Sequence, residues 1–134
     1  MLKVKTTVGI SRINGLGLFA TERIPKGTTT WKFDPMFDLL FDPLDVERMT
    51  LEKQELVKTY AYLSPESGKY VYSIDNTRFT NHSSTNYNID IAVDPGETET
   101  AGVANRDIEI GEEILVNYKQ IDLHDRDSNE EYLL

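Results

Sequence analysis

The chain has 134 residues, no cysteine and a formal net charge of -9. That length fits one domain with its own core, and the missing thiols exclude disulfides, thiolate zinc sites and a cysteine nucleophile. No apolar run approaches the roughly 20 residues of a membrane-spanning helix, and an acidic surface disfavours direct nucleic-acid binding while it favours basic partners.

In chain order, Lys3 to Val8 alternates weakly, and Asn14-Gly15 is a strong turn signal because both residues tolerate positive φ. Leu18 to Ala20 and Thr28 to Phe33 read as short strands joined through a turn at Ile24-Pro25-Lys26-Gly27. From Asp42 to about Thr59 the period changes. Pro43 suits a first helical turn, and Leu44, Val46, Met49, Leu51, Leu56 and Val57 roughly follow helical spacing, which predicts one or two short helices. Tyr60 to Leu63 and Tyr70 to Ile74 flank Ser64-Pro65-Glu66-Ser67-Gly68, a hairpin pattern. Asn88 to Asp94 alternates cleanly and predicts a half-buried strand, ended by Pro95-Gly96. Thr100 to Asn105 and Glu113 to Tyr118 are further strands, with a turn at Gly111 between them.

The expected architecture is mainly β, with several small sheets and one helical insert. Residues 1–118 form the domain, and residues 119–134 an acidic C-terminal tail that either closes as a helix or stays mobile. Met1-Leu2-Lys3-Val4-Lys5 lacks the apolar stretch of a signal peptide, so the expected location is intracellular: cytoplasmic, or nuclear and chromatin-associated in a eukaryotic cell.

Three segments carry chemistry. Gly15-Leu16-Gly17-Leu18-Phe19-Ala20 holds two glycines that let a backbone approach a ligand, although on this segment alone a plain hairpin turn is the better reading. Arg78-Phe79-Thr80-Asn81-His82-Ser83-Ser84-Thr85-Asn86 is dense in hydrogen-bonding side chains and follows the partly apolar Tyr72-Ser73-Ile74-Asp75. A buried run of this polarity needs partners from the protein or from a ligand. Gly111-Glu112-Glu113-Ile114-Leu115-Val116-Asn117-Tyr118 is, on its own, a turn and a strand ending in tyrosine.

Together and in this order, the three segments resemble the SET-domain family, whose patterns are an early Gly-x-Gly, a central Arg-Phe-x-Asn-His-Ser-Cys-x-Pro-Asn and a late Gly-Glu-Glu-Leu-x-x-Asp-Tyr. The central run matches at Arg78, Phe79, Asn81, His82, Ser83 and Asn86, and the late run at Gly111, Glu112, Glu113 and Tyr118. The resemblance covers the chain from about Val8 to Tyr118. It implies a fold of small curled sheets (a β-clip) with a C-terminal pseudoknot, one of the rare exceptions to unthreaded chains. It also implies a methyltransferase that moves the methyl group of S-adenosylmethionine to a lysine side chain of a basic protein such as a histone or histone-like protein, leaving S-adenosylhomocysteine.

By that resemblance, Gly15, Leu16, Gly17, Arg78, Asn81 and His82 bind the cofactor, Tyr118 is the catalytic tyrosine, and Tyr60, Tyr62 and Val116 line the lysine channel. The substrate peptide would dock as an extended strand at a sheet edge. No metal is expected. Ser84 stands where many members carry a zinc-binding cysteine, so the cysteine-rich post-SET module is missing. The channel would have to be completed by the tail, through Tyr132 or Leu133, or by a second copy of the chain in a homodimer. Val116 replaces a larger aromatic residue, which points to a pocket with room for more than one methyl group. The competing reading is a catalytically silent SET fold that binds a protein partner. The pairing of Asn81-His82 with Tyr118 favours the enzyme.

Overall fold

The computed structural model describes residues Met1–Leu134. Strands β1 (Thr6–Ile10) and β2 (Leu16–Ala20) form an antiparallel hairpin with Gly9 opposite Gly17. Its turn is closed by Ser11, whose N–H bonds the Gly15 carbonyl at 2.9 Å, and Gly15 itself takes φ +49°. An ordinary side chain is strained there, so glycine is required by conformation.

A five-stranded sheet is built from β3 (Thr29–Lys32), β7 (Asn81–His82), β8 (Ile89–Ala92), β9 (Ala101–Ala104) and β10 (Leu115–Val116), in the order β3-β9-β8-β10-β7. The last strand, β10, lies between β7 and β8 and runs parallel to both. The connection 83–88 therefore crosses over it, which is the pseudoknot. Ser83 N–H bonds Val116 O and Asn88 N–H bonds Leu115 O, each at 3.0 Å. The Asn88 side chain, 1% exposed, takes Leu115 N–H at 2.9 Å and gives its amide to Glu113 O at 2.9 Å. Asn88, and not the exposed Asn86 of the motif match, is thus the asparagine that ties the knot. Leaving its buried partners unsatisfied costs about 1–3 kcal/mol each.

The second sheet has the order β4-β6-β5, with β4 (Asp38–Phe41), β5 (Tyr62–Leu63) and β6 (Tyr70–Ser73), so the expected hairpin across Ser64–Gly68 is present. Strand β4 was not anticipated, because its pattern is inverted. Asp38 is 2% exposed while Leu39 and Leu40 are 44% and 41% exposed. The carboxylate tolerates burial because it is surrounded by donors: Ser73 Oγ at 2.6 Å, Asp34 N–H at 2.7 Å and the Met1 ammonium at 2.9 Å.

The helical insert splits into α1 (Pro43–Glu47), capped by Asp42, and α2 (Leu51–Tyr60). Helical spacing overestimated its apolar face. Val46 and Val57 are buried with Tyr70 in a small cluster, but Leu44, Leu51 and Leu56 face solvent.

The main core gathers Leu18, Ile24, Ile89, Ile108, Ile114 and Val116, each worth roughly 1.5–3 kcal/mol on full burial. The tail closes onto it as α3 (Tyr118–Ile121), α4 (Leu123–Arg126) and a 3-10 turn at Glu131–Leu133. Asn117 and Asp122 cap the two helices, Tyr118 and Ile121 pack on the main core, and Leu133 is buried.

Candidate functional site

Two cavities lie against one another. The smaller, about 230 Å³, is lined by Asn14-Gly15-Leu16 of the first hairpin turn, the run Arg78 to Asn81, and Tyr118. The larger, about 330 Å³, runs between the two sheets past Tyr60, Tyr62 and Val116 to Asp122, Asp125 and Tyr132 of the tail. Asn14, Thr59, Tyr60, Arg78, Thr80 and Tyr118 line both, so the cavities abut at this ring. Each volume is of the order of ordinary small-ligand sites.

Asn81 is the hub of the smaller cavity. The two N–H groups of its side-chain amide are shared among three acceptors, Asn14 O (3.1 Å), Leu16 O (2.9 Å) and Glu113 Oε1 (2.9 Å). One buried amide thus joins the hairpin turn to the strand before Tyr118. Glu113 completes the clamp, taking Ser11 Oγ at Oε2 (3.0 Å). Its position also explains Gly17. A Cβ there would collide with Glu113 Oε1, so glycine makes room for a carboxylate, and Gly17 lines neither cavity. Glu113 had no separate role at the level of sequence. The available signal was its place in the Glu-Glu pair, whose other member, Glu112, faces outward to Arg106 at 2.9 Å.

His82 also lines neither cavity. Its imidazole stands behind Tyr118, with ring centroids 5.1 Å apart. Nδ1 faces the Tyr118 backbone N–H at 2.9 Å, and Nε2 faces Leu133 O at 3.0 Å. A backbone N–H can only donate and a carbonyl can only accept, so the proton must sit on Nε2. His82 therefore couples the tyrosine to the tail.

Tyr118 donates its hydroxyl proton to Thr80 O at 2.8 Å. Burial, together with the carboxylates of Asp125, Asp122 and Glu113, pushes its pKa up to about 12. It is a phenol at neutral pH and serves as a hydrogen-bonding group, not a base. Thr80, the variable position of the central motif, could not be picked out from sequence because its contribution is a backbone carbonyl. The Arg78 guanidinium lies 4.8 Å from the Phe79 ring centre and 5.8 Å from that of Tyr60, at the junction of the cavities.

The tail supplies the far wall of the larger cavity. Tyr132 Oη donates to Asp125 Oδ1 at 2.5 Å, and Tyr70 Oη meets His124 Nε2 at 2.6 Å, which docks α4 on β6. Burial holds the Asp122 carboxyl above its usual range, with the Asp125 charge adding to the effect against hydrogen bonds that lower it. Leu133, the other expected channel residue, packs inward and does not line the cavity; Tyr132 does.

A curled set of small sheets, a knotted C-terminal strand, and a half-buried tyrosine where two cavities abut define the architecture of the SET methyltransferase class. The family model for the SET domain matches residues 15–119, and the chain belongs to the SET-domain family. Among solved structures, the Chaetomium thermophilum polycomb repressive complex 2 in an autoinhibited conformation bound to S-adenosylmethionine superposes with a TM-score of 0.65 at 24% identity, covering 90% of this chain and 16% of that one. An active polycomb repressive complex 2 in the basal state gives a TM-score of 0.62 at 25% identity over 86% of this chain and 15% of the other. A candidate histone methyltransferase of Plasmodium falciparum gives a TM-score of 0.56 at 19% identity, covering 85% of this chain and 92% of that one. The chain thus spans about one seventh of the polycomb chains it matches. No curated protein matches it.

Proposed function

We propose that the chain is an S-adenosylmethionine-dependent protein-lysine methyltransferase. One observation carries this reading: a polar cleft edged by the first hairpin turn and Arg78 and a tyrosine-lined channel abut at Tyr118 and Thr80. The smaller cavity suits the cofactor by its donors. It offers backbone edges at 14–16 and 79–81, the Phe79 ring, and the Arg78 cation for a carboxylate. When bound, the cofactor supplies a sulfonium methyl group, an electrophile that needs only alignment.

The protein's own part is to orient the amine. Aromatic walls from Tyr60 and Tyr62 attract a lysine ammonium by cation–π interaction. A free lysine has a pKa of about 10.4, and desolvation in the channel together with a neighbouring sulfonium charge lowers it, freeing the lone pair. The Tyr118 hydroxyl, its proton committed to Thr80, keeps its oxygen free to accept an amine N–H. His82 fixes the tyrosine from behind.

The substrate class is a basic protein segment, attracted by the net charge of -9 and added as a strand at the β5 edge beside Tyr62. The small Val116 and the volume of the channel favour more than one methyl transfer.

Calorimetric titration with S-adenosylmethionine and S-adenosylhomocysteine, on wild type and Asn81→Ala, tests the cofactor cleft. Binding that weakens in the variant supports it and justifies methyl-transfer assays on basic proteins with Tyr118→Phe as control. Folded wild type that binds neither compound favours the catalytically silent interaction module.

A further inference from the structure

The outer strands of the two larger sheets are treated differently. The edge of β3 is covered by residues 1–3: Lys3 N–H bonds Thr30 O at 2.8 Å, and Lys32 N–H bonds Met1 O at 3.1 Å. Strand β4 ends its own sheet, and no further strand or bridge adds to it. Its register fixes which groups face out. Ile74 N–H bonds Phe37 O at 2.9 Å, so these two residues are a hydrogen-bonded pair. Ladder bonds alternate along an antiparallel pair, so Leu39 and Phe41 also bond toward β6, while Leu40 turns its N–H and C=O outward.

Exposed edges usually carry a device against pairing, such as a lysine, a proline or a bulge. Between Met36 and Phe41 there is none, and Pro35 and Pro43 only bound the segment. Its one charge, Asp38, is buried against the Met1 ammonium. Met36, Phe37, Leu39, Leu40 and Ile74 are instead 80%, 37%, 44%, 41% and 46% exposed. Two such patches facing one another would remove about 1,000 Å² from water, the lower bound for a specific interface.

We propose that the β4 edge joins two copies of this chain, paired antiparallel about a twofold axis at Leu40. The strand is complementary to itself in that register. Leu40 exchanges both outward backbone bonds with its counterpart, Leu39 lies opposite Phe41, and Asp42 N–H comes opposite the outward Asp38 C=O. Apolar side chains thus meet apolar ones on both faces. The acidic juxtaposition of Asp38 with Asp42 is blunted, because one carboxylate is held inside by Met1 and the other caps Leu44 N–H at 3.0 Å. A second copy supplies this strand by symmetry, whereas any other partner would have to match it. The result is one six-stranded sheet in the order β5-β6-β4-β4-β6-β5. At a strand spacing of about 4.8 Å, its two β5 strands lie about 24 Å apart at opposite ends. Each larger cavity keeps the wall that its own tail supplies, so the pair presents two sites and does not complete one. The interface stands or falls independently of the methyltransferase reading.

The experiment is sedimentation equilibrium of the intact chain from about 10 to 500 µM, in about 50 mM and about 500 mM sodium chloride, a range over which screening changes strongly. The expected result is a dimer with a dissociation constant on the order of tens of micromolar, as suits a small interface. Each copy carries a net charge of -9, so salt should tighten the dimer severalfold by screening their repulsion. In NMR spectra of the same sample, the amide signals of Leu40 and Asp42 should shift with concentration. Leu40→Lys restores the missing edge device and should weaken the dimer by about tenfold or more. Leu51→Lys, at an exposed leucine of α2 away from β4, should leave it unchanged. A wild type that stays monomeric at every concentration and salt overturns the proposal and leaves the edge to a strand of another protein. A dimer that loosens in salt overturns it too, as do concentration-dependent shifts that spare residues 36–42. These wild-type outcomes decide the matter even if Leu40→Lys fails to fold.

Discussion

The two sides of Tyr118 are built differently. On the side of the smaller cavity, a single amide and a single carboxylate, Asn81 and Glu113, bind segments far apart in the chain through bonds of 2.9–3.1 Å, and Gly17 is kept small to admit the carboxylate. On the side of the larger cavity, the wall is a tail of three short helical turns held by separate contacts: His82 to Leu133, Ser84 to Leu134, Tyr70 to His124, and the buried Leu133 side chain. A shared network fails as a unit, whereas isolated contacts fail singly and nearly additively. Changes on the first side should therefore couple strongly, and changes on the second should be local.

The largest expected effect lies at the junction itself. Tyr118→Phe keeps the ring against His82 and the core and removes only the hydroxyl bonded to Thr80. Methyl transfer should fall by about a hundredfold or more, the scale of one preorganised hydrogen-bonding group at the reacting centre. Cofactor affinity, measured by calorimetry, should stay within about twofold because the hydroxyl is not part of the Asn81 clamp; a large loss of affinity would mean that the two sides are not separable. Next in size is the clamp. Gly17→Ala forces a methyl group onto Glu113 Oε1 and should cost about 1–3 kcal/mol in urea unfolding. In a Glu113→Ala background the clash partner is gone, so the same change should cost much less. An additive double-mutant cycle would contradict the clamp.

This division also decides what was legible. The hairpin at Asn14-Gly15 and the strand from Ile89 were readable because local pattern and local structure agree there, and the helical insert was readable as helix from its Asp42-Pro43 start although most of its leucines face solvent. Strand β4 was not, since Asp38 points inward and the leucines outward, and the donors that make this tolerable come from Ser73, Asp34 and Met1. In the site, Asn81, His82 and Tyr118 stand out as motif residues, but motifs do not say which way a side chain faces. Gly17 and His82 answer to Glu113, Tyr118 and Leu133 rather than to either cavity. Thr80 contributes a carbonyl that every residue possesses. Tyr132 was one of the two tail residues expected there, but Asp122 and Asp125 sit in a tail with no periodicity, and only the folded path of α3 and α4 brings them to the larger cavity.

A smaller effect tests the tail alone. Tyr70→Phe removes the hydroxyl bonded to His124 while keeping the ring in its cluster, and should cost about 1 kcal/mol of stability. In a methyl-transfer assay it should raise KM for the protein substrate and leave cofactor binding unchanged. Weakened cofactor binding would show that the tail reaches the Asn81 network after all.

The smallest effect has a sign opposite to the others. The folded-state pKa of Asp122 is raised, so the folded chain binds this proton more tightly than the unfolded chain does. Below the unfolded value, near 3.9 for an aspartate, the group is protonated in both states and contributes nothing. As pH rises from that value through the raised folded one, the penalty for ionising a half-buried carboxyl beside Asp125 develops. Asp122→Asn removes that penalty and keeps the cap on His124, since asparagine caps helices as well as aspartate does. The variant should therefore be slightly more stable than wild type at pH 7, with the gain, small because solvent screens a partly exposed group, shrinking to nothing in acid. Thermal unfolding at both pH values checks this. A loss of stability at pH 7 would mean that the carboxylate is already paired with a cation in the folded chain, and the tail wall would then have no charge to offer a substrate.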